Sequence, residues 1–254
     1  MFDVVVKNAA LAYDERIIFK DLNLTLAGGE WTCLLGGSGV GKTSLLRLIA
    51  GLSTGKGLET SGSVLCQDGF SLKGRIAWMA QQDLLLPWFS VIENITLGER
   101  LRNSFFSRRK VSAQELDRAR HILEQVGLSD KATELPQNLS GGQRQRAALA
   151  RTLMENRPLV LMDEPFGALD AVTRLNLQDL ACDLLANRTV LLITHDPLEA
   201  LRLGHHIYHL QGEPATLTEA IMPPDSPPRS LENKELMSLQ GELLERLRNE
   251  EERP

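Results

Sequence analysis

Gly36-Gly37-Ser38-Gly39-Val40-Gly41-Lys42-Thr43, followed by Ser44, has the spacing G-x-x-x-x-G-K-[ST] of a phosphate-binding loop. Glycines there admit positive φ and let backbone N–H groups curl around phosphate oxygens, Lys42 reaches the outer phosphates, and the Thr43 hydroxyl can serve Mg²⁺. A second cluster, Asp163-Glu164, ends the apolar run Leu159-Val160-Leu161-Met162. One carboxylate there suits Mg²⁺, held through water, and the other suits polarising or deprotonating an attacking water. A third, Ser140-Gly141-Gly142-Gln143 before Arg144-Gln145-Arg146-Ala147, offers a serine and glycine N–H groups at a helix start, which is another anion site. His195 closes a further apolar strand and precedes Asp196-Pro197. Phosphate loop, metal-holding acid and water-activating acid together point to cleavage of a nucleoside triphosphate.

These groups need elements that hold them. Trp31-Thr32-Cys33-Leu34-Leu35 is a short apolar strand running into the glycine loop, and Thr43 to Ala50 is a helical run stopped by Gly51. Leu159 to Met162 and Thr189 to Thr194 are apolar throughout, as in strands buried on both faces of a parallel sheet. Asp196-Pro197-Leu198-Glu199 combines an N-cap, a proline at the first helical position and a glutamate three residues on. The first thirty residues instead alternate, with Leu22, Leu24 and Leu26 between Asp21, Asn23 and Thr25, which predicts antiparallel strands with one wet face. From Val91 to about Arg157 the pattern is helical, with a capping box at Ser112-Ala113-Gln114-Glu115 and a stop at Gly127. Pro223-Pro224-Asp225-Ser226-Pro227-Pro228 reads as an extended linker before a polar helix from about Leu231 to Arg248. The fold class is α/β: a phosphate-loop core with a mostly parallel sheet, an N-terminal antiparallel β subdomain and an inserted helical subdomain.

Composition narrows the classes. The formal charge of −5, from 28 basic and 33 acidic residues, lacks the basic footprint of a nonspecific nucleic-acid binder. Residues 223–254 carry eight acidic and five basic side chains, so most of that negative charge belongs to the tail. No apolar run approaches the roughly 18 residues of a membrane span, and MFDVVVKNAA does not have the pattern of a secretory signal. Cys33, Cys66 and Cys182 are far apart and lack zinc-site spacing, so reduced, packed thiols are expected. A basic cluster at Arg100, Arg102, Arg108, Arg109 and Lys110 is read as a solvated helical face.

Leu139-Ser140-Gly141-Gly142-Gln143 resembles the signature sequence of the ABC-type ATPases, and with the phosphate loop, Asp163-Glu164 and His195 every block expected of that family is present in order over residues 1 to about 212. The departures, Gly37 for a commoner proline, Thr43-Ser44 for serine-threonine and Gly167 for serine, remove no catalytic group. The resemblance implies an Mg²⁺-dependent ATPase with Glu164 and His195 catalytic, and Thr43, Gln81 and Asp163 at the metal. Gln82 is the alternative to Gln81. It also implies that Tyr13 stacks on adenine and that Gly36 to Ser44 bind ATP. Ser140 to Gln143 would cap the ATP of an opposite subunit, with Asp170 of Ala168-Leu169-Asp170 in the D-loop at the dimer interface.

By the same resemblance, residues 1–222 form the ATPase domain, with a helical signature subdomain at about 91–157, and catalysis ends before the tail at 223–254. A cassette without a fused membrane domain resembles subunits of bacterial importers, and Leu84 to Asn94 is similar to cassettes of the nitrate, sulfonate, taurine and thiamine-pyrimidine-precursor group. The implied partners are a second copy of the cassette, two integral membrane permease subunits and a solute-binding protein, with no nucleic acid, at the cytoplasmic face of the inner membrane. Two alternatives remain: a soluble ABC ATPase acting on nucleic acid or ribosomes, and a phosphate-loop kinase.

Overall fold

A computed structural model describes residues 1–103 and 111–251, so Arg108, Arg109 and Lys110 of the basic cluster lie outside the described residues. In chain order the elements are β1 (Val4–Tyr13), β2 (Arg16–Leu26), β3 (Trp31–Leu35), α1 (Lys42–Ile49), β4 (Leu58–Cys66), β5 (Ile76–Met79), α2 (Val91–Ile95), α3 (Leu97–Asn103) and α4 (Ala113–Gln125). There follow α5 (Gly141–Met154), β6 (Leu159–Asp163), α6 (Ala171–Leu184), β7 (Thr189–Ile193), α7 (Pro197–Leu203), β8 (His206–Gln211), β9 (Thr216–Leu217) and α8 (Lys234–Glu251). The chain forms two units: residues 1–76, 158–164 and 186–254 in one, residues 77–157 and 165–185 in the other.

In the first unit β2, β1 and β4 make an antiparallel sheet with β1 in the middle. Leu22, Leu24 and Leu26 are buried while Asp21, Asn23 and Thr25 are exposed, which is the alternation the sequence predicts. The parallel strands run in the order β6-β7-β3-β8, and β9 closes the edge antiparallel to β8. All five residues of β3 and all five of β7 are buried, so these strands need no polar face. Leu34, Leu35, Leu45 and Leu46 are fully buried, and each such side chain contributes roughly 1.5–3 kcal/mol by leaving water.

The Pro-rich segment departs from the expected extended linker. Arg229, 3% exposed, donates to the carbonyls of Pro223, Pro224 and Asp225 on its own segment and of Leu201 and Gly204 at the end of α7. The guanidinium gathers carbonyls that neither prolines nor a helix end could satisfy alone. Helix α8 packs on α7, and its Leu236 and Leu243, seven residues apart on one face, are buried.

The second unit is helical around α5, which packs against α2, α4 and α6. Helix α4 starts where predicted: the Glu115 N–H donates to the Ser112 hydroxyl (3.2 Å) and the Ser112 N–H to the Glu115 carboxylate (2.6 Å), and Gly127, at φ 69°, ends it. The three cysteines are buried and form no disulfide. No helix among the described residues is long and apolar enough to cross a membrane.

Candidate active site

Strand β3 ends at Leu35 and the chain turns through Gly36, where a Cβ would lie 2.5 Å from the Leu210 carbonyl oxygen of β8. A side chain there would displace the neighbouring strand. Gly41 caps α1 at φ 111°, and its missing Cβ leaves room for Ile18 Cγ2 of β2, which would otherwise stand 2.6 Å away. Lys42 Nζ donates to the carbonyls of Gly36 and Gly37, both at 2.8 Å, and so cross-braces the loop. Burial pushes the Lys42 ammonium below its ordinary range, and the nearby Glu164 and Asp163 work against that. No side chain caps α1 and its first turn holds no acid, so its N-terminal N–H groups and dipole face the loop unopposed.

Thr43, in the first turn of α1, points its hydroxyl at Asp163, with Oγ1 3.1 and 3.3 Å from the two carboxylate oxygens. Burial raises the Asp163 carboxyl above its ordinary range, partly offset by the Thr43 hydrogen bond. The next residue, Glu164, sits at φ 45°, a left-handed conformation that is unfavourable for a residue with a Cβ. Its N–H donates to the Ile193 carbonyl at 2.9 Å, tying it to the end of β7. Two residues beyond Ile193, His195 Nδ1 lies 3.1 Å from Glu164 Oε2. Phosphate loop, Thr43, Asp163, Glu164 and His195 thus share the C-terminal edge of β3, β6 and β7, where open α/β sheets bind ligands.

The donor set suits Mg²⁺. Among the described residues no group of three or more His, Cys, Asp and Glu is placed to hold a metal by itself. A threonine hydroxyl beside a carboxylate supplies two hard oxygens, and Mg²⁺ takes one or two from protein and the rest from phosphate and water. Tyr13 ends β1 in register with Arg16 and Leu58 and is 37% exposed. It belongs to the hairpin that places Ile18 at Gly41.

The remaining sequence-selected residues lie in the second unit. Ser140 caps α5, its hydroxyl accepting from the Gln143 N–H at 3.2 Å while Gln143 Oε1 accepts from the Ser140 N–H at 2.9 Å. In that bond the Ser140 hydroxyl acts as acceptor, which leaves its proton uncommitted to the cap. Gly141 is exposed and Gly142 half-buried. Asp170 caps α6 by accepting from the Thr173 N–H at 3.0 Å. Gln81 is exposed, and its carbonyl accepts from Gln145 Nε2 of α5 at 3.2 Å. Arg151 of α5 donates to the carbonyls of Asp83 (2.6 Å) and Leu84 (2.8 Å), so the segment after Gln81 is held to the signature helix.

The sequence over residues 19–167, more than half the chain, matches the family described as ABC transporter. The chain belongs to that family. An ABC transporter ATP-binding protein of Haemophilus influenzae is 44% identical over 251 residues, covering 98% of this chain and all of the relative. The aliphatic sulfonates import ATP-binding protein SsuB of Escherichia coli K12 is 39% identical over 239 residues, 92% of this chain and 87% of its own. Its namesake SsuB 1 of Paracoccus denitrificans is 41% identical over 210 residues, 82% and 79%. A dimeric ATP-binding cassette in a post-hydrolysis state with ADP and Pi superposes with a TM-score of 0.70 at 28% identity, covering 90% of this chain and 100% of that one.

This ABC protein is an ATP-binding subunit of a transporter, and its phosphate loop, α/β core and antiparallel N-terminal sheet follow the expectation from sequence. Sequence reasoning did not single out Ile18, Asn94, Thr173 or Arg229. Ile18, Thr173 and Arg229 meet partners distant in the chain, Asn94 bonds the turn just before its own helix, and none carries a motif.

Proposed function

We propose that the chain hydrolyses Mg·ATP in a homodimer and drives import of a small organic solute through two separate membrane subunits, sitting peripherally at the cytoplasmic face of the inner membrane. The observation that carries this reading is the convergence of Thr43 with Asp163 and of Glu164 with His195 beside the phosphate loop. Gly36 to Ser44 would wrap the phosphates with backbone N–H groups, and Tyr13 would stack on the adenine. Thr43 and Asp163, with Gln81, would hold Mg²⁺, which when bound neutralises charge on the phosphate oxygens.

Glu164 orients a water and accepts its proton while the water oxygen bonds to the γ phosphorus and the bond to the β–γ bridging oxygen breaks, releasing ADP and phosphate. His195, beside Glu164, would contact the γ phosphate. Ser140 to Gln143 of one subunit would close over ATP held by the other, because a chain with one phosphate loop has one triphosphate and two anion sites. Asp170 would line that interface. The solute would reach the permease from a solute-binding protein outside the membrane.

Support for a sulfonate-like cargo comes from the SsuB relatives. The test is phosphate release by the purified chain with and without Mg²⁺, followed by recovery of the tagged chain from membranes of its source. Mg²⁺-dependent phosphate release and co-purification with two integral subunits are the expected results. Transfer of phosphate to an acceptor, or stimulation by DNA or ribosomes without membrane subunits, would overturn the reading.

A further inference from the structure

The two signature glycines lack a Cβ for different reasons. At Gly141 an added Cβ would meet only Arg144 Nη2, at 3.9 Å, so that side is open. At Gly142 it would stand 2.6 Å from Cγ2 of Thr173 in α6. That methyl is not free to swing away, because Thr173 is anchored twice to Asp170: its N–H donates to Oδ1 at 3.0 Å and its hydroxyl donates to the same carboxylate. Fixing the hydroxyl fixes χ1 and aims the methyl at Gly142.

From this contact we infer that Thr173 is a positioning residue that locks the Asp170 cap to the signature helix, with Gly142 shaped to receive its methyl. The inference rests on the composite-site reading above, in which the signature and Asp170 both face the second subunit. Since both residues would meet that subunit from this one, a rigid link between them lets the ATP-dependent contact at Ser140 and the interface contact at Asp170 form together. A cavity at the Thr173 methyl, or a methyl on Gly142, would let the two shift apart. Gly141 is left to serve close approach of the nucleotide from outside the chain.

A rescue experiment on the purified full chain separates these roles. Gly142→Ala should lower kcat for ATP about tenfold or more with KM for ATP and monomer nucleotide affinity unchanged. Thr173→Ser keeps the hydroxyl and removes the methyl, so Gly142→Ala combined with Thr173→Ser should return to within about threefold of Thr173→Ser alone. Gly141→Ala should not be rescued by Thr173→Ser. Turnover per chain that rises with protein concentration in the wild type, together with rescue confined to Gly142, is the supporting result. A concentration-dependent wild type whose double variant stays as slow as Gly142→Ala would overturn the link alone. A wild type whose turnover per chain is independent of concentration would overturn the composite site and the link with it.

Discussion

His195 Nδ1 and Glu164 Oε2 stand 3.1 Å apart at the ends of neighbouring parallel strands, with Glu164 held in a left-handed conformation by its own hydrogen bond to Ile193. The pair is set by strand register, since Asp163 faces Ile193 in the β6–β7 ladder. The carboxylate is thereby aimed without any ligand, which would suit a base that must lose little on binding.

Glu164→Gln keeps the shape and hydrogen-bonding reach of the side chain but cannot accept the proton of water. Turnover should fall by about 100-fold or more, while ATP binding persists and the ATP-bound dimer accumulates. Phosphate release and size-exclusion chromatography with ATP check both halves. Retained turnover would remove Glu164 from the water-activating role.

Asp163 makes a prediction about pH. Its carboxyl is raised by burial above the ordinary 3.8, so the folded state binds this proton more tightly than the unfolded chain. The resulting stabilisation is full below the ordinary value and is lost as pH rises through the raised one. Without Mg²⁺ and ATP, Asp163→Asn should therefore raise the thermal midpoint at neutral pH and flatten the fall expected of the wild type as pH rises above the ordinary carboxylate value, while hydrolysis is lost. Identical pH–Tm curves would count against this assignment.

Asn94, fully buried, accepts from the Leu86 N–H at 2.7 Å and donates to the carbonyls of Leu86, Phe89 and Ser90. Together with the Phe89 N–H, which donates to the Leu86 carbonyl at 3.1 Å, it ties down the turn that exposes Trp88 (69%). Asn94→Ala should cost roughly 2–3 kcal/mol, since several buried polar groups lose partners at once. Hydrogen exchange at residues 86–90 and Trp88 fluorescence should change, with ATP affinity preserved. An unchanged turn would mean its backbone holds itself.

Arg229→Met should lower the thermal midpoint and open the tail to trypsin, because the carbonyls at the end of α7 lose their donors. Deleting residues 223–254 exposes those carbonyls to water instead, so ATP hydrolysis should largely survive. Complete loss of hydrolysis on deletion would place the tail within the catalytic machinery.

The chemistry was legible where it is contiguous. Gly36 to Thr43 and the Ser112 capping box each announce themselves within eight residues because local backbone geometry demands those types, and Asp163-Glu164 stands out as paired acids ending an apolar run. The β3, β6 and β7 strands were legible from unbroken apolar runs. Arg229 was not, since five carbonyls from two segments converge on it only after α7 and the Pro-rich turn have packed. Composition suggested an extended linker where the segment folds around a guanidinium. Gly142 and Thr173, or Gly41 and Ile18, meet across tens of residues with no period to reveal them.

The position of β3 also bears on synthesis. Its two ladder neighbours, β7 and β8, begin at Thr189 and His206, more than 150 residues later in the chain. A nascent chain that has just exposed the phosphate loop has neither the strands that flank it nor the Leu210 carbonyl that backs Gly36. The phosphate loop therefore reaches the surroundings it has in the folded protein only once residues as late as Leu210 are available to pair.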